Sequence, residues 1–81
     1  MVDLMTDSSA KAVIEAALFA AGRTLNPQEL ADISGLSLQM AEEAVRDLAL
    51  EYVSRSSGIE IKSIGDGYSM QVRSMLAGRV L

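Results

Sequence analysis

Residues 30–37 of the chain are Leu30-Ala31-Asp32-Ile33-Ser34-Gly35-Leu36-Ser37, and an amphipathic run from Leu38 to Val53 follows directly. A helix, a turn that contains glycine and a second helix fit this pattern, which is typical of a helix-turn-helix. Downstream, residues 59–73 contain two apolar segments on either side of Asp66-Gly67, as in a two-stranded β-hairpin. Three helices followed by such a hairpin, the wing, predict an α+β, mainly α, winged helix-turn-helix domain.

Helix start signals are clear on both sides of the turn. Asn26, Pro27 and Glu29 supply an N-cap, a proline at the first helical position and the partner of a capping box. Ser37 is the predicted cap of the third helix. The first helix is expected to begin at a cap formed by Ser8 or Ser9 and to end at Gly22.

Two apolar stripes run along the predicted first helix. One consists of Ile14, Ala17, Leu18 and Ala21, and the other of Ala12, Ala16 and Phe19. Because so small a domain has one core, the second stripe is either part of a wider buried face or a contact surface. The sequence leaves both interpretations open.

The third helix also has two distinct faces. The face predicted to pack on the other helices carries Ala41, Ala44, Val45, Leu48 and Tyr52. The opposite face carries Gln39, Glu42, Glu43, Arg46, Leu50 and Val53. On that second face, Leu50 and Val53 resemble the apolar centre of a protein contact inside a charged rim.

The expected hairpin has a two-residue loop of Asp66 and Gly67. That loop pairs Gly65 with Tyr68, Ser63 with Met70 and Ile61 with Val72. Ile59, Ile61, Tyr68, Met70 and Val72 then share the inner face, while Glu60 lies opposite Arg73 and Lys62 opposite Gln71 on the outer face. Ile64, opposite Ser69, points outward near the wing tip, where it is either an ordinary surface residue or a further contact residue.

Composition limits the classes of function. The chain has 81 residues, enough for one domain, and is 49% hydrophobic but only 22% charged. That balance gives more apolar surface than one small core can hide, so a partner or a self-contact is expected.

There is no Cys and no His. Glu42 and Glu43 lie side by side on an open helix, without a third group to orient them for acid-base catalysis. We therefore expect no catalytic residue, metal, cofactor or small-molecule substrate. With no signal peptide and no apolar run near the ~20 residues of a membrane span, the expected location is cytoplasmic.

The net charge of −4 and the pI near 4.5 argue against direct DNA binding. If the domain were instead a winged-helix transcription regulator, Gln39 and Arg46 would be its base contacts and Lys62 its wing contact. Acidic residues on the same helix would then face the phosphates. An adaptor domain from some other large assembly is a third interpretation.

A resemblance to a known family rests on five segments of the chain. They are Val13-Ile14-Glu15-Ala16-Ala17-Leu18-Phe19-Ala20-Ala21-Gly22-Arg23-Thr24-Leu25, Glu29-Leu30-Ala31, Gly35-Leu36-Ser37, Gly58-Ile59-Glu60-Ile61 and Gly67-Tyr68-Ser69-Met70-Gln71-Val72-Arg73. In order and spacing they resemble the N-terminal winged-helix domain of segregation and condensation protein B (ScpB). The resemblance covers roughly residues 11–76.

This resemblance implies a non-enzymatic subunit of the SMC-ScpA-ScpB condensin-like complex, which acts in chromosome condensation and segregation. It also implies a homodimer formed through this domain, the kleisin ScpA and an SMC ATPase as partners, and association with the chromosome. Kleisin binding in the family falls largely to a second winged-helix domain. We accordingly expect a flexible start at residues 1–7, a winged helix at 8–73, and at 74–81 the start of a connection to that second domain. The candidate dimer contacts are Ala12, Ala16 and Phe19, or Leu50 and Val53, together with Ile64.

Overall fold

Three helices precede an antiparallel hairpin in the computed structural model, which describes residues 7–74, with side chains from Ser9 onward. The elements are α1 (Asp7–Ala21), α2 (Pro27–Ser34), α3 (Leu38–Ser54), β1 (Ile59–Ile64) and β2 (Gly67–Val72). This is the predicted winged helix-turn-helix. The expected loose start and the expected connecting element lie outside the described residues, apart from Asp7 and Ser74 at their edges.

The predicted start of α1 is wrong by two or three residues. The helix already includes Asp7, so Ser8 and Ser9 lie inside its first turn and neither is the N-cap. Ser and Asp are common both at caps and in first turns, so local composition alone does not distinguish these neighbouring positions. The end of the helix at Ala21 is as predicted.

The start of α2 forms as its sequence predicts. The Asn26 side chain accepts a hydrogen bond from the Glu29 N–H at 2.8 Å, and the Glu29 carboxylate accepts one from the Asn26 N–H at 2.9 Å. Arg23 donates to the other oxygen of Glu29 at 2.9 Å, and this hydrogen bond, with that from Asn26, lowers the pKa of Glu29. At the other end, the Gly35 N–H closes the helix on Ala31. Ser37 then caps α3 by accepting from the Met40 N–H.

The predicted hairpin register is wrong. The loop is Gly65-Asp66, so that Ile64 pairs with Gly67, Ser63 with Tyr68, Ile61 with Met70 and Ile59 with Val72. On the outer face, Glu60 therefore lies opposite Gln71, not Arg73, and Lys62 opposite Ser69. Because the pairing shifts by two residues, every side chain stays on its predicted face.

Contacts of Gly67 explain the register. A Cβ atom at this position would lie 2.7 Å from Thr24 Cγ2 and 2.8 Å from the carbonyl oxygen of Leu25. Strand β2 can therefore approach Thr24 and Leu25 this closely only because residue 67 is glycine. Gly65, with φ of 60°, supplies the positive φ that the first residue of a type II′ turn requires. The choice of loop thus depends on a segment about 40 residues away in sequence.

A third extended segment pairs with the hairpin, which the sequence analysis did not predict. Leu25 donates to the Tyr68 carbonyl at 2.9 Å and accepts from the Tyr68 N–H at 2.8 Å. Strand β2 consequently has β1 on one side and Leu25 on the other.

The core is formed by one face of each helix and by Leu25. Ile14, Leu25, Leu30 and Val45 have essentially no solvent exposure, and the predicted inner face of α3 is buried throughout. From the hairpin, Ile61, Tyr68 and Met70 pack against this core. Leu25 and Leu30 occupy the two positions of a hydrophobic staple around the capping box.

Candidate protein-interaction surfaces

Eight large apolar side chains are exposed in the described part of the chain. They are Val13, Phe19, Ile33, Leu38, Leu50, Val53, Ile59 and Ile64. Four of them, namely Phe19, Leu50, Val53 and Ile64, were predicted as contact residues from the sequence. The core does not include Phe19, because the other stripe of α1, which contains Ile14, Ala17 and Leu18, fills it.

The second stripe of α1 is solvent-exposed. Ala12 and Ala16 are exposed, and Phe19 retains 79% of its accessible surface. Of the two interpretations left open by the sequence, a wider buried face is therefore excluded within this domain. A bulky aromatic side chain beside small alanines gives α1 an uneven apolar surface.

A groove of about 450 Å³ lies between α1, the end of α3 and the base of the hairpin, and we call it the α1 groove. Its lining includes Ala16 and Phe19 from α1 and Ile59 and Met70 from the hairpin. Ile59 was predicted to lie on the inner face, but its exposure at this edge was not foreseen. The structure thus joins part of the α1 stripe to apolar residues 40 or more positions away.

Polar groups in the α1 groove are organised around Tyr52. Its hydroxyl donates a hydrogen bond to the Glu15 carboxylate, and the Arg55 guanidinium lies 4.9 Å from the centre of its ring. Burial of the ring, followed by the hydrogen bond to Glu15, raises the pKa of Tyr52 to about 12. At neutral pH Tyr52 is therefore a neutral donor that holds the Glu15 carboxylate at the edge of the groove.

A second groove, of about 420 Å³, lies between α3 and β1, and we call it the β1 groove. Its lining consists of Arg46, Ala49 and Leu50 from α3 and of Ile61, Ser63 and Tyr68 from the hairpin. The exposed lining is mainly apolar, and Leu50 is 66% exposed. Leu50 and Phe19 therefore belong to two different grooves.

The remaining candidates line neither groove. Ala12 borders a smaller depression with Lys11 and Glu51, which form an ion pair at 2.9 Å. Val53 is exposed on α3, and Ile64 is exposed at the wing tip. The sequence analysis missed Ile33 and Leu38, which are exposed on either side of the turn of the helix-turn-helix. Both are apolar residues that fall outside the helical spacing of the buried positions, and this signal could have identified them.

The three residues proposed for DNA contact do not form a basic surface. Gln39 donates its side-chain amide to Glu43 at 3.2 Å, and Arg46 lines the β1 groove beside Leu50. Lys62 is exposed on β1. Acidic Glu42 and Glu43 lie between Gln39 and Arg46 along α3, and Asp47 directly follows Arg46.

Within residues 7–74, no group of three or more acidic side chains is arranged to hold a metal ion. None of the helices in that range is both long enough and apolar enough to cross a membrane.

A family model described as "Segregation and condensation complex subunit ScpB" matches residues 12–80, which is most of the chain. The chain belongs to the ScpB family. No curated protein sequence matches it significantly.

Solved structures share this fold. The crystal structure of ScpB from Mycobacterium tuberculosis has a TM-score of 0.86 and 24% identity, covering 94% of this chain and 48% of that one. A conserved hypothetical protein from Chlorobium tepidum has a TM-score of 0.75 and 24% identity over 91% of this chain and 47% of its own. This chain thus spans about half the length of these two proteins.

Another similar structure comprises a single domain. It is described as a dimer of the ScpB N-terminal domain complexed with an ScpA peptide, and it has a TM-score of 0.81 and 26% identity. The similarity covers 90% of this chain and 91% of that one. The described winged helix therefore matches the N-terminal domain of an ScpB protein nearly end to end.

Proposed function

We propose that this domain is an interaction module of a non-enzymatic subunit of the SMC-ScpA-ScpB condensin-like complex, in which it forms a homodimer and binds the kleisin ScpA. Membership of the ScpB family over residues 12–80 is the observation that carries the proposal. The similar N-terminal domain was crystallised as a dimer with an ScpA peptide, which supports both interactions. The proposed role is chromosome condensation and segregation. The proposed location is the cytoplasm, in association with the chromosome.

The α1 groove and its neighbouring stripe are the proposed dimer contact. Phe19 projects from α1 beside Ala16 and a groove that also contains Ile59 and Met70. Each copy thus carries both a protruding ring and an apolar recess. A two-fold axis places the same patch of both copies in contact, so such a pair of features is self-complementary.

Affinity purification of the full-length protein from its native host, after nuclease treatment, tests the complex. Mass spectrometry should recover an SMC ATPase and a kleisin. If both are absent and only nuclease-sensitive partners are lost, the domain does not act in this complex. A salt-sensitive duplex interaction that Arg46→Ala weakens would then favour the DNA-binding regulator.

Sedimentation of the domain tests the dimer contact. Phe19→Glu should shift the mass from dimer to monomer, because it places a charge at the centre of the contact. Ile33→Glu is the matched control, since Ile33 is also exposed but lies on α2 away from the α1 groove. If both variants remain dimeric while circular dichroism shows native folding, the dimer uses another surface.

A further inference from the structure

Strand β1 has an unpaired outer edge. Strand β2 is paired on both sides, by β1 and by Leu25, whereas β1 is paired only with β2. No backbone group within residues 7–74 forms a hydrogen bond with the outer edge of β1. Such an edge can pair with an extended segment of another chain.

The register identifies the backbone groups at that edge. In an antiparallel pair, residues alternate between those bonded across the pair and those whose N–H and C=O groups point away. Tyr68 directs its groups to Leu25, so its partner Ser63 points its own away from β2. By the same alternation Ile61 and Ile59 point outward, but the Ile59 N–H already donates to the Ser57 hydroxyl at 3.0 Å. Ile61 and Ser63 thus offer both donors and acceptors to an added strand.

The β1 groove lies beside this edge. Ile61 and Ser63 also line the groove, together with Leu50 and Tyr68. Because side chains alternate along a strand, a segment added to β1 would direct every second side chain into the groove. The volume of about 420 Å³ is sufficient for one or two apolar side chains.

Local charge favours an acidic partner. Arg46 is the one charged residue among those that line the β1 groove, and Lys62 lies on the opposite face of β1. Neither forms an ion pair with any residue in the described part of the chain. A carboxylate on the added segment could therefore pair with either cation, even though the domain as a whole is acidic.

We propose that β1 binds an extended peptide of the kleisin partner as an added strand, with an apolar side chain of the peptide against Leu50 and an acidic one near Arg46. This inference rests on the proposed function, and it assigns the peptide to a surface separate from the α1 groove. A second copy of the domain is the competing occupant of this edge. A two-fold axis at Lys62 would place like charges opposite one another, whereas an axis at Ile61 would place Lys62 opposite Glu60 of the other copy, so the oligomeric state of the variants below separates the two occupants.

Overlapping synthetic peptides that cover the host's ScpA-type kleisin are the probe, and fluorescence anisotropy with the 81-residue chain measures their affinity. Ser63→Pro removes an outward N–H without removing a bond to β2, and Ser63→Ala keeps that N–H. The proline variant should weaken binding about tenfold, as expected for one lost hydrogen bond and a distorted edge. The alanine variant should bind like the original chain.

Leu50→Glu and Val53→Glu form a second matched pair. Both residues are exposed on α3, at 66% and 71%, but only Leu50 lines the β1 groove. Leu50→Glu should weaken binding by at least about tenfold, while Val53→Glu should not change it. In the bound chain, hydrogen exchange at the Ile61 and Ser63 amides should slow.

Each alternative outcome has a distinct signature. If peptides bind but neither Ser63→Pro nor Leu50→Glu weakens them, the edge is not the docking site, although the proposed function stands. If those two variants instead convert a dimer to a monomer, the occupant is a second copy. If neither the peptides nor the intact kleisin binds the original chain, the proposed function fails and this inference fails with it.

Discussion

Replacing Tyr52 with phenylalanine removes one hydroxyl group from the domain and leaves the ring in place. Tyr52 is 4% exposed, and its hydroxyl donates to the Glu15 carboxylate across the contact between α3 and α1. The aromatic ring of phenylalanine keeps both its packing and the overlying Arg55 guanidinium. The loss of stability should therefore measure the hydrogen bond rather than a cavity.

The expected loss of unfolding free energy is about 1.5 kcal/mol. Hydrogen bonds to charged groups contribute roughly 1.5–3 kcal/mol, and Glu15 is only half-buried, so water replaces part of what its carboxylate loses. In a domain of this size, each kcal/mol corresponds to roughly 4–8 °C in the melting temperature. Tyr52→Phe should thus lower Tm by about 6–12 °C.

Urea unfolding followed by far-ultraviolet circular dichroism provides the measurement, because the chain has no Trp to report by fluorescence. Two protein concentrations separate folding from self-association. Tyr68→Phe is the control, since the Tyr68 hydroxyl has no hydrogen bond to a residue in the range 7–74. It should change stability by less than about 0.5 kcal/mol. Equal losses in both variants would refute the role given to the Glu15 contact.

Three further predictions concern the fold. Gly67→Ala should destabilise the domain by about 1–3 kcal/mol in the same urea assay, because its Cβ would overlap Thr24 and the Leu25 carbonyl, whereas an unchanged midpoint would contradict the close approach. Asn26→Ala should cost about 1 kcal/mol and Asn26→Asp much less, because aspartate can still accept the capping hydrogen bond. The pKa of Tyr52, raised from 10.0 to about 12, implies stabilisation that is present below pH 10 and lost as pH rises toward 12. The difference in unfolding free energy between the original chain and Tyr52→Phe should consequently shrink across that interval, and a constant difference would argue against the shift.

Local sequence determined the helix-turn-helix. The capping box at Asn26 and Glu29 and the cap at Ser37 use hydrogen bonds between residues three positions apart, so a short window contains both partners. The spacing of apolar residues in α3 likewise predicted its buried face, because one helix presents one side to the core. Family membership was also evident from the order of short segments along the chain.

Tertiary structure decided the hairpin register and the location of the exposed apolar residues. The loop is shifted because Gly67 approaches Thr24 and Leu25, a contact absent from any local pattern. The sequence pattern likewise offered Phe19 and Leu50 only as alternative contact residues. The fold assigns them to two separate grooves, because residues from other elements complete each groove. It also left β1 with an open edge by pairing β2 with Leu25. Periodicity specifies which side of one element is apolar, but only packing between distant elements determines which neighbours complete a surface.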